Sequence, residues 1–430
     1  MATAAMSGPD LQQAVRLFKS GQLEAAADCC AALLEQWPDH AKSLLLMAAI
    51  SQRLGDWQSA RDCLQKAASS FGSDTDGVLQ AVIALQRIGA ADDAGHILEG
   101  LDSRFPAVSS LKAQNAWRLG DYSGALQQFR SVLQQWPELP ANYVACVRAE
   151  LRLGQADAAR QTLEQGIAKF PRDDQLLRLN IACMLDLGIA GQALDLATRL
   201  SSTDVESNLL QSALRSALAG DPFDASRAAL NSRQEAQISS HQWVQANHSD
   251  LAWFGTGTGV LKWASAHLPA EGVVVECGVY HGLSINLLAE WGGRETHGFD
   301  SFEGLPEDWK ADEPAGSYST DGKLPRTHER VSLHPGWFEH SLPSFASGLE
   351  DPISLLHVDC DLYSSTRTVL ESLAPKLISG SILVFDDFLA YPGYEQHEFR
   401  AAREFFAGSS QQFELKASVL LGRSVAYELK

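Results

Sequence analysis

Two apolar runs late in the chain each end in a pair of acids. In HVDCDLYSST (residues 357–366), Asp359 and Asp361 follow the run ISLL. In SILVFDDF (381–388), a second run ends in Asp386 and Asp387. An unpaired carboxylate is costly to take out of water, so four of them closing two strand-like runs need a shared task. Earlier in the chain, ECGVYHGLS (276–284) is a glycine-containing turn between an apolar run and an amphipathic stretch. It is not the GxGxxG loop that cradles a pyrophosphate, because Gly278 and Gly282 stand four apart with Tyr280 and His281 between them. A bulkier, acidic turn suits a ligand with a cationic end and no phosphate.

These residues need elements to hold them. The runs at 273–278, 296–300, 331–336, 353–359, 381–387, 413–418 and 424–429 read as strands. The stretches at 282–291, 366–378 and 396–407 read as helices. Continuous apolar strands separated by helices predict a Rossmann-like α/β domain with a mostly parallel, seven-stranded sheet covered on both faces. Ligands bind such sheets at the carboxyl ends of the strands. Glu276, Asp300, Asp359, Asp361, Asp386 and Asp387 all fall there, so the acids mark a site rim. Asp300 closes the second strand, 24 residues after Glu276, where ribose hydroxyls are held. Together with the acidic turn, it favours S-adenosylmethionine over a nicotinamide cofactor.

The first half is a repeat. Gly21, Gly55, Gly89, Gly120, Gly154, Gly188 and Gly220 recur at 31 to 34 residues. Five residues after each stands an alanine: Ala26, Ala60, Ala94, Ala125, Ala159, Ala193 and Ala225. Pro38, Pro106, Pro137 and Pro171 follow their glycines by seventeen. Glycine frees a tight turn between two helices, alanine lets the helices pack closely, and proline ends the pair. The pattern resembles the tetratricopeptide repeat family over residues 8–232, about seven helix pairs. Such arrays form superhelices with a concave groove, so a protein or peptide partner in the groove is expected. The polar, aperiodic segment 233–250 reads as the linker to a second domain at 251–430.

Composition narrows the field. The chain has 430 residues, 45% of them hydrophobic, with a net charge of −19. Residues 241–430 carry 13 basic against 26 acidic residues and contain no basic stripe, which suits cation binding and argues against nucleic acid. Seven cysteines without a CxxC pair argue against a zinc site and suit a reducing compartment. Neither a secretion signal nor a membrane span is legible, so a cytoplasmic protein is expected.

VVECGVYHGLSINLLA, HGFDSFEGLPEDW, LHPGWFEHSLP, LLHVDCDLYSST and ILVFDDF together resemble the macrocin O-methyltransferase family, over about residues 250–408. That resemblance implies a metal-dependent enzyme moving a methyl group from S-adenosylmethionine to a hydroxyl of a sugar or glycoconjugate. It implies that Glu276, Gly278, Tyr280 and Ser284 line the methionine end of the cofactor. Asp300 and Ser301 would meet its ribose, with Gly336 and Trp337 near the adenine or the pocket rim. Asp359, Asp386 and Asp387 match metal ligands, and Asp361 matches a general base. The chemistry is coherent. Hard oxygen ligands select Mg²⁺, which stabilises a developing alkoxide while a nearby carboxylate takes the proton. His281, His357 and His397 lie close to these motifs; singly such residues are more often ordinary polar ones, and His281 and His357 are the next candidates for the base. Two alternatives stand: an Asp-x-Asp metal-dependent glycosyltransferase, and a repeat scaffold carrying an inactive methyltransferase domain.

Overall fold

A computed structural model describes residues 10–201, 203–224, 230–248, 250–310 and 313–430. Helices pair as the glycine period predicts. α1 (Leu11–Lys19) is followed by α2 (Leu23–Gln36), α3 (Ala41–Arg53) by α4 (Trp57–Ser70), and α5 (Thr75–Arg87) by α6 (Ala91–Glu99). Then come α7 (Pro106–Arg118) and α8 (Tyr122–Gln135), α9 (Pro140–Arg152) and α10 (Ala156–Lys169), and α11 (Asp174–Asp186) and α12 (Ala190–Ala197). α13 (Val205–Ala219) stands where the first helix of a seventh pair is expected; Ala225, the last of the periodic alanines, lies outside the described residues.

All seven turn glycines have φ between +68° and +81°, a region that costs other L-residues about 1–2 kcal/mol. The six described periodic alanines are fully buried. Pro38, Pro137 and Pro171 follow helix ends, as expected. Pro106 instead opens α7, where its missing N–H is no loss.

The described residues fall into two compact units. One runs up to Gln128 and takes in Gly304–Tyr318; its repeats close over a core that includes Leu44, Leu64, Val82, Leu85 and Leu98. The other comprises Phe129–Glu303 and Ser319–Lys430, so the later repeats and the sheet share one unit. Residues 233–250 are mostly not a loop. They fold as α14 (Ser232–Asn247), opened by a capping box between Asn231 and Gln234. Its buried positions are Gln234, Ala236, Ser240, His241 and Val244, too polar to give a helical hydrophobic period.

After α14 come β1 (Ala252–Phe254), α15 (Gly257–Ala266), β2 (Val273–Cys277), α16 (Leu283–Gly292), β3 (Thr296–Asp300), β4 (Val331–Pro335) and α17 (Phe338–Gly348). β5 (Ile353–Val358), α18 (Tyr363–Leu373), β6 (Leu377–Phe385), α19 (Glu398–Gly408), β7 (Phe413–Val419) and β8 (Val425–Leu429) complete the chain. The sheet has eight strands rather than seven, in the order β1-β7-β8-β6-β5-β2-β3-β4. The additional strand is β1, whose three residues pair parallel to β7 and are too few to show a pattern in the sequence. Only β8 runs antiparallel to its neighbours. From β2 the order proceeds one way to β3 and β4, and the other way to β5 and β6. The crevice between β2 and β5 is therefore the switch point where such sheets take ligands.

Candidate active site

Parallel register brings the acids together. Cys277 pairs with Val358 and Val358 with Phe385, so β2, β5 and β6 end level with one another. The amide of Asp359 donates to Cys277 O at 2.9 Å, and that of Asp386 to Val358 O at 3.0 Å. Gly278 follows β2 at φ +96°.

Asp359, Asp361 and Asp387 each offer a carboxylate oxygen within 4.8 Å of the others. Asp361 sits at φ +62°, a conformation that a non-glycine residue holds only when its surroundings impose it, as they often do at functional sites. Burial pushes the Asp359 carboxyl well above the usual range, with Asp386, Asp361, Asp387 and Glu276 adding repulsion. Asp386, expected as a ligand, is not in that cluster, whose third member is Asp361; its Oδ1 is held by Ser424 Oγ at 2.8 Å. Asp387 is ion-paired to Arg423. Burial works against the Arg423 charge, but Asp387 and Asp386 more than offset it and raise its pKa. Three hard carboxylates crowded against one another fit a divalent cation, which would relieve the repulsion that Arg423 meets from one side.

The turn after β2 is organised by Asp300. Its Oδ2 accepts from the amides of Val279 and Tyr280, both at 2.8 Å, and its Oδ1 from Phe302 N at 2.7 Å. Tyr280 adopts φ +50° and is exposed, with its ring centroid 4.0 Å from that of His281. Ser301 Oγ accepts from Glu303 N at 3.1 Å. Gly336 donates to Asp300 O at 2.9 Å, and nothing lies within 4 Å of where its Cβ would be. Trp337 follows as the cap of α17. Tyr280, Asp300, Ser301, Gly336 and Trp337 thus stand along one edge beside Gly278, with open space at Gly336.

Glu276 lies beneath that edge rather than on it. It is fully buried; Oε1 accepts from Ser284 Oγ at 3.2 Å, and Oε2 meets His357 Nδ1 at 2.8 Å. Burial raises its pKa, against the lowering effect of His357 and Ser284. His357 is thereby tied to Glu276 inside the sheet.

Sequence reasoning missed Glu398. It is fully buried on α19, and its Oε2 accepts from Asp387 N at 3.0 Å. Burial, then Asp387, Asp361 and Asp386, push its carboxyl far up. Its only signal was an acid on a helix that had to cover the sheet. Arg423 and Ser424, in a surface-like turn, gave none.

The Methyltransferase domain family matches residues 275–388, and the Tetratricopeptide repeat family matches 42–73 and 116–182. The chain is a tetratricopeptide repeat array followed by a methyltransferase domain. It is similar to the 8-demethyl-8-(2,3-dimethoxy-alpha-L-rhamnosyl)-tetracenomycin-C 4'-O-methyltransferase of Streptomyces olivaceus, at 31% identity over 161 residues, 30% of this chain. It is also similar to the demethyldecarbamoylnovobiocin O-methyltransferase of Streptomyces niveus, at 38% over 64 residues, 15% of this chain. It spans 58% and 23% of the lengths of these two relatives. The solved structure of the O-methyltransferase NovP aligns at 22% identity and a TM-score of 0.29, over 39% of this chain and 77% of that one. Among the described residues, no helix is long and apolar enough to cross a membrane.

Proposed function

We propose that this chain transfers a methyl group from S-adenosylmethionine to a hydroxyl of a sugar or glycoconjugate, with a divalent cation such as Mg²⁺ at the acidic cluster. The observation that carries the reading is the convergence of Asp359, Asp361 and Asp387 beside the Gly278 turn at the sheet's switch point. The family match includes both the turn and the Asp-x-Asp pair, which favours methyl transfer over the glycosyltransferase alternative. Both relatives carry O-methyltransferase names.

Tyr280, Asp300, Ser301, Gly336 and Trp337 bind and orient the cofactor, which supplies an electrophilic methyl group. Gly278 lets the turn after β2 close against the Asp359 backbone, where a side chain would not fit. Glu276 and Ser284 act from beneath, fixing the β2–α16 turn through the bonds to each other and to His357. Asp359, Asp386 and Asp387 would hold the cation, which would supply a Lewis acid to a developing alkoxide. Asp361 takes the hydroxyl proton, placed by its left-handed backbone in the same cluster. The repeats bind the acceptor or a protein partner.

The test is methyl transfer from labelled S-adenosylmethionine into rhamnosides and related glycosides. Activity that vanishes with excess chelator and returns with Mg²⁺ supports the reading. Calorimetry in which S-adenosylhomocysteine fails to bind and a nucleotide sugar does would reverse it.

A further inference from the structure

The stretch Phe254-Gly-Thr-Gly-Thr-Gly259 lies outside the matched methyltransferase residues, and each of its glycines is closed in by a different neighbour. A Cβ at Gly255 would stand 2.2 Å from Ala182 O, and one at Gly259 2.2 Å from Asp186 Oδ1, both on repeat helix α11. A Cβ at Gly257 would stand 2.6 Å from Ser424 Oγ and 3.1 Å from Asp386 Oδ1. One side of this loop is thus gripped by the array. The other side rests on the hydrogen bond that holds Asp386.

The grip centres on Asp186. Its Oδ1 accepts from Gly255 N at 2.8 Å and Thr256 N at 3.1 Å, and its Oδ2 from Thr256 Oγ1 at 2.6 Å. Thr256 Oγ1 in turn accepts from Gly259 N at 3.0 Å, capping α15. Asp186 is the last residue of α11. A carboxylate there opposes the helix dipole, so helix stability does not account for it. Burial also pushes its carboxyl up to about 6, against the hydrogen bonds from Thr256 and Gly255. The residue is held at a cost to its own helix and its own charge, in a place where it fixes a loop of the other domain.

We propose that Asp186 is a positioning residue for the candidate active site, by which the repeat array fixes Asp386 through the Gly255–Gly257 loop. The inference rests on the reading of the acidic cluster as a cation site. It makes the later repeats part of the catalytic scaffold, beyond any role in holding an acceptor.

The full-length chain is titrated with Mn²⁺ and, separately, with S-adenosylhomocysteine, using wild type, Asp186→Ala, Asp186→Asn and Gly257→Ala. Asp186→Ala is expected to weaken Mn²⁺ by about ten-fold, the scale of an outer-shell loss, and to leave S-adenosylhomocysteine affinity unchanged. Asp186→Asn keeps an oxygen for Gly255 N and Thr256 N and is expected to retain Mn²⁺ affinity. Gly257→Ala leaves Asp186 intact but displaces Ser424 or Asp386, and is expected to weaken Mn²⁺ alone. The proposal is overturned if folded Asp186→Ala and Gly257→Ala bind Mn²⁺ as wild type does. It is equally overturned if both probes weaken together, as a merely structural role requires. Wild type that binds no Mn²⁺ removes the cation site itself, and this inference with it.

Discussion

Gly278 stands so close to the backbone of Asp359 that a Cβ on it would fall 1.7 Å from the Asp359 carbonyl oxygen. The two residues follow adjacent strands, one opening the candidate cofactor turn and the other being the first of the clustered acids. With φ at +96°, Gly278→Ala incurs both backbone strain and a collision with main chain, together about 2–5 kcal/mol. The variant should melt lower and lose affinity for S-adenosylhomocysteine and Mn²⁺ together. Affinities unchanged from wild type would mean that this contact does not align the two halves of the site.

Asp361→Asn preserves shape and removes the proposed base. S-adenosylhomocysteine affinity should stay as in wild type, while turnover falls by roughly 10²-fold or more. Turnover within a small factor of wild type would place the base elsewhere. His281 is then the next residue to test, because His357 is locked to Glu276.

Asp186 gives a pH signature. In the folded chain its carboxyl titrates at about 6 rather than 3.8, chiefly through burial. The folded state therefore holds this proton more tightly than the unfolded state. The associated stability is present below pH 3.8 and lost as pH rises through 6. Asp186→Asn carries no charge at any pH. Its stability relative to wild type should rise between pH 4 and 7, by on the order of 3 kcal/mol. Denaturant midpoints across that range measure it, and a difference that does not change with pH would refute the burial argument.

Cutting the chain at residue 240 should not release an independent enzyme. Leu420 packs with Leu177, Ile181, Leu185 and Leu214, with Leu421 and Trp253 against the same cluster. A 240–430 fragment exposes that surface and loses Asp186. We expect it to aggregate or melt without cooperativity, while a fragment beginning at Tyr122, the first residue of α8, keeps cofactor binding. A soluble 240–430 fragment with full S-adenosylhomocysteine affinity would contradict this.

Much of this was legible in the sequence because it is periodic or local. The turn glycines announced the helix pairs, and the apolar runs announced every strand except β1. The acids appeared at strand ends because parallel strands end on one edge. What escaped notice depends on distant packing. Asp186 meets Thr256 across 70 residues, Arg423 meets Asp387 across 36, and Glu276 turns inward because His357 lies beside it on β5. The capping box of α14 was written in Asn231 and Gln234, but its polar buried face hid the helix.

Repeat arrays gain and lose whole repeats readily, because each touches only its neighbours. Gly154, in the turn between α9 and α10, breaks that freedom. A Cβ there would lie 2.3 Å from the ring of Trp291 on α16, and Thr258 Oγ1 reaches Arg152 O at 3.4 Å nearby. A repeat inserted or deleted between α9 and α11 would move Gly154 and Asp186 relative to each other by a full unit, and one of them would lose its place. From Gly154 to Asp186 the array has a fixed length. Relatives with longer or shorter arrays should differ only in the repeats outside it.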